Sequence, residues 1–126
     1  MKIRCHHDAD GITTAYFTAF KYPTATIEVW NGEFGDTTGM KKGDIMCDMK
    51  PIQNKEGIIV IDHHLPHPED HKYELISDDV PASLIAWRKY KDIIPIKHIS
   101  RFKKKIHTRW FLMYIFEGET TPDKLD

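Results

Sequence analysis

Ile58-Ile59-Val60-Ile61-Asp62-His63-His64 is an apolar run that ends on a carboxyl group and two imidazoles, and its reading decides the fold. Asp44-Ile45-Met46-Cys47-Asp48 has the same shape. Both runs are short, apolar and bounded by turn residues, the pattern of strands buried in the middle of a parallel sheet. Each delivers an aspartate, Asp62 or Asp48, at its carboxyl end.

Working outward, residues 2–5 alternate with Ile3 and Cys5 on one side, which predicts a first strand. Ile12, Ala15, Tyr16, Ala19 and Phe20 then recur at helical spacing. Asp10 is placed to cap that helix, Gly11 permits a sharp turn after the strand, and Pro23 closes the helical region. Residues 25–30 predict another strand, and residues 31–43, rich in Gly, Thr and Asp, an exposed loop. Asp79 and Pro81 open a helix whose inward stripe is Val80, Leu84, Trp87 and Tyr90, running to about Lys89. The expected fold is therefore α/β, a mainly parallel sheet of about four to five strands with helices on both faces.

The chain of 126 residues predicts one compact domain, with a basic and apolar helical segment from about residue 93. Apolar residues make up 40% and charged residues 29%, and no apolar run reaches membrane-spanning length, so a soluble protein without a membrane partner is expected. Cys5 and Cys47 each lie in an apolar strand, need no disulfide, and suit a reducing cytoplasm. The net charge of -1 conceals a segregation: residues 1–80 carry 14 acidic and 8 basic side chains, whereas residues 88–109 carry nine Lys or Arg against Asp92 alone. That later segment is a candidate anion-binding face, although Lys103, Lys104 and Lys105 also suit a solvated helix face. Residues 103–116 predict a helix stopped by Gly118, apolar on every side over residues 110–116. Such a surface must be buried in the domain's own core or against another chain, and the second option makes self-association through it one expectation.

His6, Asp8 and Asp10 follow the first strand, Asp48 another, and Asp62, His63 and His64 a third. Open parallel sheets bind ligands at the carboxyl ends of their strands, so these side chains meet in one crevice if the strands are neighbours. Oxygen and imidazole donors without thiolate favour Mn2+, with Mg2+ or another divalent ion as alternatives, over a closed zinc site. Carboxylates packed so closely repel one another unless cations neutralise them. His7 falls between two candidate ligands and is read as structural, and His67 and His71, in a Pro-rich loop, as solvent-exposed and outside the site. A zinc site built on Cys5 and Cys47 is disfavoured, because they lack CxxC spacing.

His6-His7-Asp8-Ala9-Asp10-Gly11 and Asp62-His63-His64 resemble the first and third signatures of the DHH phosphoesterase superfamily, and Asp48 falls where that family has its second. The superfamily includes RecJ-type exonucleases, phosphodiesterases of nanoRNA and cyclic dinucleotides, and family II inorganic pyrophosphatases. The likeness covers roughly residues 1–87. It implies that His6 and Asp8 bind one metal, Asp10 and His63 a second, and that Asp48 bridges both. Asp62 would orient its neighbours and His64 would contact the substrate phosphate or the transition state, while one or two Mn2+ ions activate water.

The chain departs from the family downstream. Where smaller relatives carry a fourth acidic ligand, it reads Ile99-Ser100-Arg101-Phe102-Lys103, and Asp78, Asp79, Asp92 and Glu117 lack the surrounding motif. Nothing after Lys91 resembles the carboxy-terminal substrate-binding lobe of many relatives. The resemblance thus implies hydrolysis of a phosphodiester or phosphoanhydride bond in a small nucleotide, a cyclic dinucleotide or a short oligonucleotide, with Arg101, Lys103, Lys104 and Arg109 on the phosphates. The alternative is a nucleotide- or nucleic-acid-binding module that keeps the fold without hydrolysis, and a third reading is a fragment or compact variant completed by a partner.

Overall fold

The computed structural model is described for residues 1–95. The elements are β1 (Lys2–His6), α1 (Ala9–Lys21), β2 (Thr26–Trp30), β3 (Ile45–Cys47), β4 (Ile59–Asp62), β5 (Glu74–Ser77), α2 (Ala82–Tyr90) and a 3-10 turn (Lys91–Ile93). The five strands form one sheet in the order β2-β1-β3-β4-β5, parallel at every pairing. The mainly parallel α/β sheet is as expected. The helix over residues 103–116, the apolar segment 110–116 and the basic residues Arg101, Lys103, Lys104 and Arg109 lie outside the described residues.

After β1 the chain passes to β2 on one side and then to β3 on the other, so the order reverses at β1. Such a reversal leaves a crevice at the carboxyl ends of β1 and β3. β3, the central strand, is buried along its whole length, which accounts for its unbroken apolar run. β5 lies at an edge and is only partly buried. It therefore lacks a continuous apolar run, and its sequence carries no strand signal.

In-register partners point the same way, so Ile3, Cys5, Ile45, Cys47 and Ile61 share one face of the sheet. They form one core with Ala15 and Phe17 of α1 and Leu84, Ala86 and Trp87 of α2. Phe17 and Trp87 join the helices directly, with ring centroids 5.7 Å apart. Among the described residues both α-helices lie on this face. Among the described residues the opposite face, with Met46, Val60 and Leu75, packs against Met40, Met49 and Tyr73 from loops; the further helix expected over residues 103–116 lies outside them. The loops can pack on the sheet because methionine adapts its shape to irregular gaps.

Two local expectations are corrected in α1. The cap is Asp8, whose Oδ1 accepts the Gly11 N–H at 2.8 Å, and not Asp10. The buried face also includes Thr14 and Thr18, while Ile12 is exposed. Each threonine hydroxyl donates to the carbonyl one turn earlier, Thr14 to Asp10 and Thr18 to Thr14, both at 2.7 Å. That satisfied donor lets a polar residue face the core.

The connection over residues 31–43 is not simply exposed: Gly35, Thr37 and Met40 are buried. Arg4, 2% exposed, holds it from below. Its guanidinium pairs with Glu28, donates to the carbonyls of Asp36 at 2.7 Å and Thr38 at 2.8 Å, and lies 3.8 Å from the centre of the Trp30 ring. Arg4→Met keeps the apolar stem but strands these carbonyls. It is expected to cost about 1–3 kcal/mol and to open residues 31–43 to protease. Urea unfolding and limited proteolysis check this, and an unchanged cleavage rate would mean that other contacts hold the loop.

Candidate metal centre

The carboxyl ends of β1, β3 and β4 are adjacent because those strands are paired in that order. His6 ends β1, Asp48 follows β3, and Asp62, His63 and His64 span the end of β4. His6 Nδ1 lies 2.9 Å from Asp8 Oδ2 and 3.8 Å from Asp48 Oδ2. His63 Nε2 lies 3.1 Å from Asp48 Oδ1 and 3.4 Å from Asp10 Oδ2. Two groups of donor atoms fall within 4.8 Å of one another, His6 with Asp8 and Asp48, and Asp48 with His63 and His64. Asp48 belongs to both.

Asp48 is built for this position. Its φ of 60° is left-handed, a conformation Asp tolerates better than most residues, and its N–H donates to the Ile61 carbonyl at 2.8 Å. The carboxyl is 2% exposed. Burial, followed by the neighbouring Asp10 and Asp8 carboxylates, pushes it up to about 10, so without a cation it keeps its proton at neutral pH. Burial acts on Asp8 in the same upward direction, but the Gly11 N–H, Asp48 and His6 together hold Asp8 below the ordinary carboxylate range. The proton thus sits on Asp48 and the negative charge on Asp8. A cation seated between Asp8, Asp48 and the imidazoles would take the place of that proton, and an all-oxygen-and-imidazole donor set fits a hard or borderline divalent ion.

Asp10 has a second duty that local sequence does not reveal. Oδ1 accepts the Ser83 N–H at 2.9 Å and Oδ2 the Ala82 N–H at 3.2 Å, so Asp10 caps α2 from 72 and 73 residues away. Pro81 at the cap position has no side-chain acceptor of its own. A negative charge at a helix N-terminus is favourable, and the contact fixes α2 to the crevice. Each carboxylate oxygen has two lone pairs, so Oδ2 can serve Ala82 and still face a cation beside His63.

Asp62 is fully buried and acts on its neighbours. Its carboxylate accepts the His64 N–H at 3.1 Å and is bonded to His64 Nδ1. His64 Nε2 is thereby left as the ring nitrogen for the crevice. His67 was expected to be solvent-exposed; its side chain is 2% exposed, and its Nε2 lies 3.0 Å from Asp62 Oδ2. His71 is partly buried, with Nδ1 2.8 Å from the Tyr73 carbonyl oxygen. Both histidines are drawn inward by Tyr73, which packs under the sheet, and the Pro-rich composition of their loop gave no sign of it.

Phe34 was also not foreseen. It is partly exposed on the pinned 31–43 loop, and its ring meets His6 at 5.0 Å and His64 at 5.1 Å edge to face. His7 turns to the Trp30 carbonyl at 3.1 Å and belongs to neither donor group. Asp78, Asp79 and Asp92 are exposed and likewise belong to neither. Cys5 and Cys47 are register partners, buried and free. Burial, with Asp48, Asp8 and Glu28 behind it, pushes Cys5 up to about 12, and burial also raises Cys47, so neither offers a thiolate at neutral pH.

No protein-family model and no curated protein sequence matches this chain. Among the described residues no helix is long and apolar enough to cross a membrane.

Proposed function

We propose that this chain is a divalent-metal-dependent phosphoesterase, with Mn2+ as the preferred ion, acting on a phosphodiester or phosphoanhydride bond in a small nucleotide, cyclic dinucleotide or short oligonucleotide. The observation that carries this reading is that Asp48 sits within ligand distance of both His6 with Asp8 and His63 with His64. The resemblance of His6 to Gly11 and of Asp62 to His64 to the DHH signatures supports the same chemistry. Two free, buried thiols suit a cytoplasmic setting.

His6, Asp8 and Asp48 would hold one ion, and Asp48 and His63, with Asp10 3.4 Å from His63, would provide for a second. A bound divalent cation supplies Lewis acidity and a water activated near neutral pH. Asp62 keeps the His64 ring fixed, with Nε2 facing the crevice where a substrate phosphate would lie. The Phe34 ring, carried by the pinned loop, packs edge to face on both His6 and His64.

The test is a panel of dinucleotides, cyclic dinucleotides, short oligonucleotides and pyrophosphate, each incubated with the full chain and Mn2+. Release of nucleotide or phosphate that EDTA abolishes is the expected result. A second reading, a metal-dependent nucleotide-binding module, is favoured by the basic residues Arg101 and Lys103 where an acidic ligand is expected. Tight Mn2+-dependent binding of a nucleotide with no turnover anywhere on the panel would select it and remove the hydrolase.

A further inference from the structure

Behind the crevice lies an unbroken chain of polar contacts that no metal ligand needs. Tyr73 is 3% exposed, and its hydroxyl lies 2.7 Å from His67 Nδ1. His67 Nε2 lies 3.0 Å from Asp62 Oδ2, and the other Asp62 oxygen holds His64 Nδ1. We infer that Tyr73 and His67 are positioning residues that act through Asp62 to set the tautomer and orientation of His64. The inference rests on the proposed phosphoesterase reading only for what His64 does with substrate.

The hydrogens follow from donor and acceptor bookkeeping. The Asp62 carboxylate oxygens are the acceptors, with His67 Nε2 and His64 Nδ1 facing them as donors. Burial holds the His67 imidazole below the ordinary histidine range, so the ring is neutral and its Nδ1 is an acceptor. The Tyr73 hydroxyl donates to that nitrogen. Every donor then has an acceptor, and a single arrangement remains: His64 carries its hydrogen on Nδ1 and presents Nε2.

Position in the fold argues that the chain was built. Tyr73 immediately precedes β5 and packs with Met46, Met49 and Val60 on the loop-covered face, so the phenol cannot swing. His67 is stacked edgewise on it, ring centroids 5.7 Å apart. Asp62, with no exposed surface, has no solvent to satisfy it if His67 leaves. A buried carboxylate with one partner removed pulls harder on the other or takes in water, and either change disturbs His64. Outer hydrogen-bond partners of this kind typically change activity about 10–100-fold when removed.

The experiment uses the full chain labelled with 15N-histidine. Long-range 1H–15N spectra of the ion-free protein at pH 7 read each ring's tautomer, and His64→Gln identifies the His64 signals by their disappearance. His64 is expected as the Nδ1–H form in the wild type and as a mixture in His67→Leu. Tyr73→Phe, which removes only a hydroxyl, keeps the test open if His67→Leu fails to fold, and is expected to shift His64 in the same direction. His64 signals identical in the folded variants and the wild type overturn the inference.

Kinetics on bis-p-nitrophenyl phosphate with Mn2+ supply the second readout. His67→Leu is expected to lower kcat about 10–100-fold with KM and Mn2+ affinity little changed, and His67→Gln, whose amide can still donate to Asp62, to recover most of the loss. A fall confined to KM or to Mn2+ affinity overturns it as well. If the wild type turns over neither this ester nor the panel above, the phosphoesterase reading fails, and the tautomer comparison still decides the positioning chain.

Discussion

Asp48→Asn is expected to lower Mn2+-dependent turnover by more than about a hundredfold, beyond the usual cost of a lesion one shell further out, and at the same time to stabilise the ion-free protein. Asparagine keeps the size of the side chain and tolerates the left-handed backbone at φ 60°, so the substitution removes a titrating group with little strain. The sign follows from linkage. The Asp48 carboxyl sits at about 10 in the fold against about 3.9 in an unfolded chain, so the folded state holds its proton more tightly. Its contribution is fully present below the unfolded value and is lost as pH rises towards the folded one.

Thermal melts in EDTA should therefore fall from pH 5 to pH 9 for the wild type and fall less for Asp48→Asn. Mn2+ at a hundredfold excess over its Kd should return about 2.7 kcal/mol, roughly 4–8 °C in Tm per kcal/mol, to the wild type only. Because the ion displaces a proton, its affinity should also rise with pH over the same window. If the variant keeps the wild-type pH slope, or Mn2+ raises its Tm equally, Asp48 is not the shared ligand.

Gly11→Ala should damage both the fold and the site, although residue 11 lies in a helix. By helix propensity alone alanine gains about 0.8–1.0 kcal/mol over glycine. Here a Cβ at residue 11 would stand 2.2 Å from the His6 carbonyl oxygen, so the helix start must move. Overpacking typically costs 1–3 kcal/mol, occasionally more, and this contact is with backbone that cannot step aside, so a net loss of about 2 kcal/mol or more is expected. Asp8 caps α1 and Asp10 lies in its first turn, so Mn2+ affinity should fall with stability. Urea midpoints and Mn2+ titration calorimetry measure both, and a raised midpoint with unchanged affinity would refute the close approach of β1 and α1.

Gly11 also shows how a correct sequence signal can have a different cause. Glycine after a strand suggests a left-handed turn, yet the backbone there is helical and the requirement is for space. His67 is the opposite case. A histidine in a loop with Pro66 and Pro68 carries no local mark of burial, because its partners, Asp62 and Tyr73, become neighbours only when β4 and β5 pair. Asp10 looks like a cap for its own helix and instead caps α2, since Asp8 already serves α1 and α2 begins at a proline.

The runs at residues 44–48 and 58–64, with the alternation of β1 and the spacing of α1 and α2, were enough to establish a parallel α/β sheet and to bring His6, Asp8, Asp10, Asp48, Asp62, His63 and His64 to one edge of it. Period and burial are local properties, and a parallel strand carries its ligand to the same edge whatever its neighbours are. Tertiary structure alone decided the strand order, the shared face of the helices, the anchoring of residues 31–43 by Arg4, and the contacts of Phe34, His67 and Tyr73. Each depends on residues far apart in the chain meeting at hydrogen-bond or van der Waals distance, and periodicity along one segment holds no record of its partner.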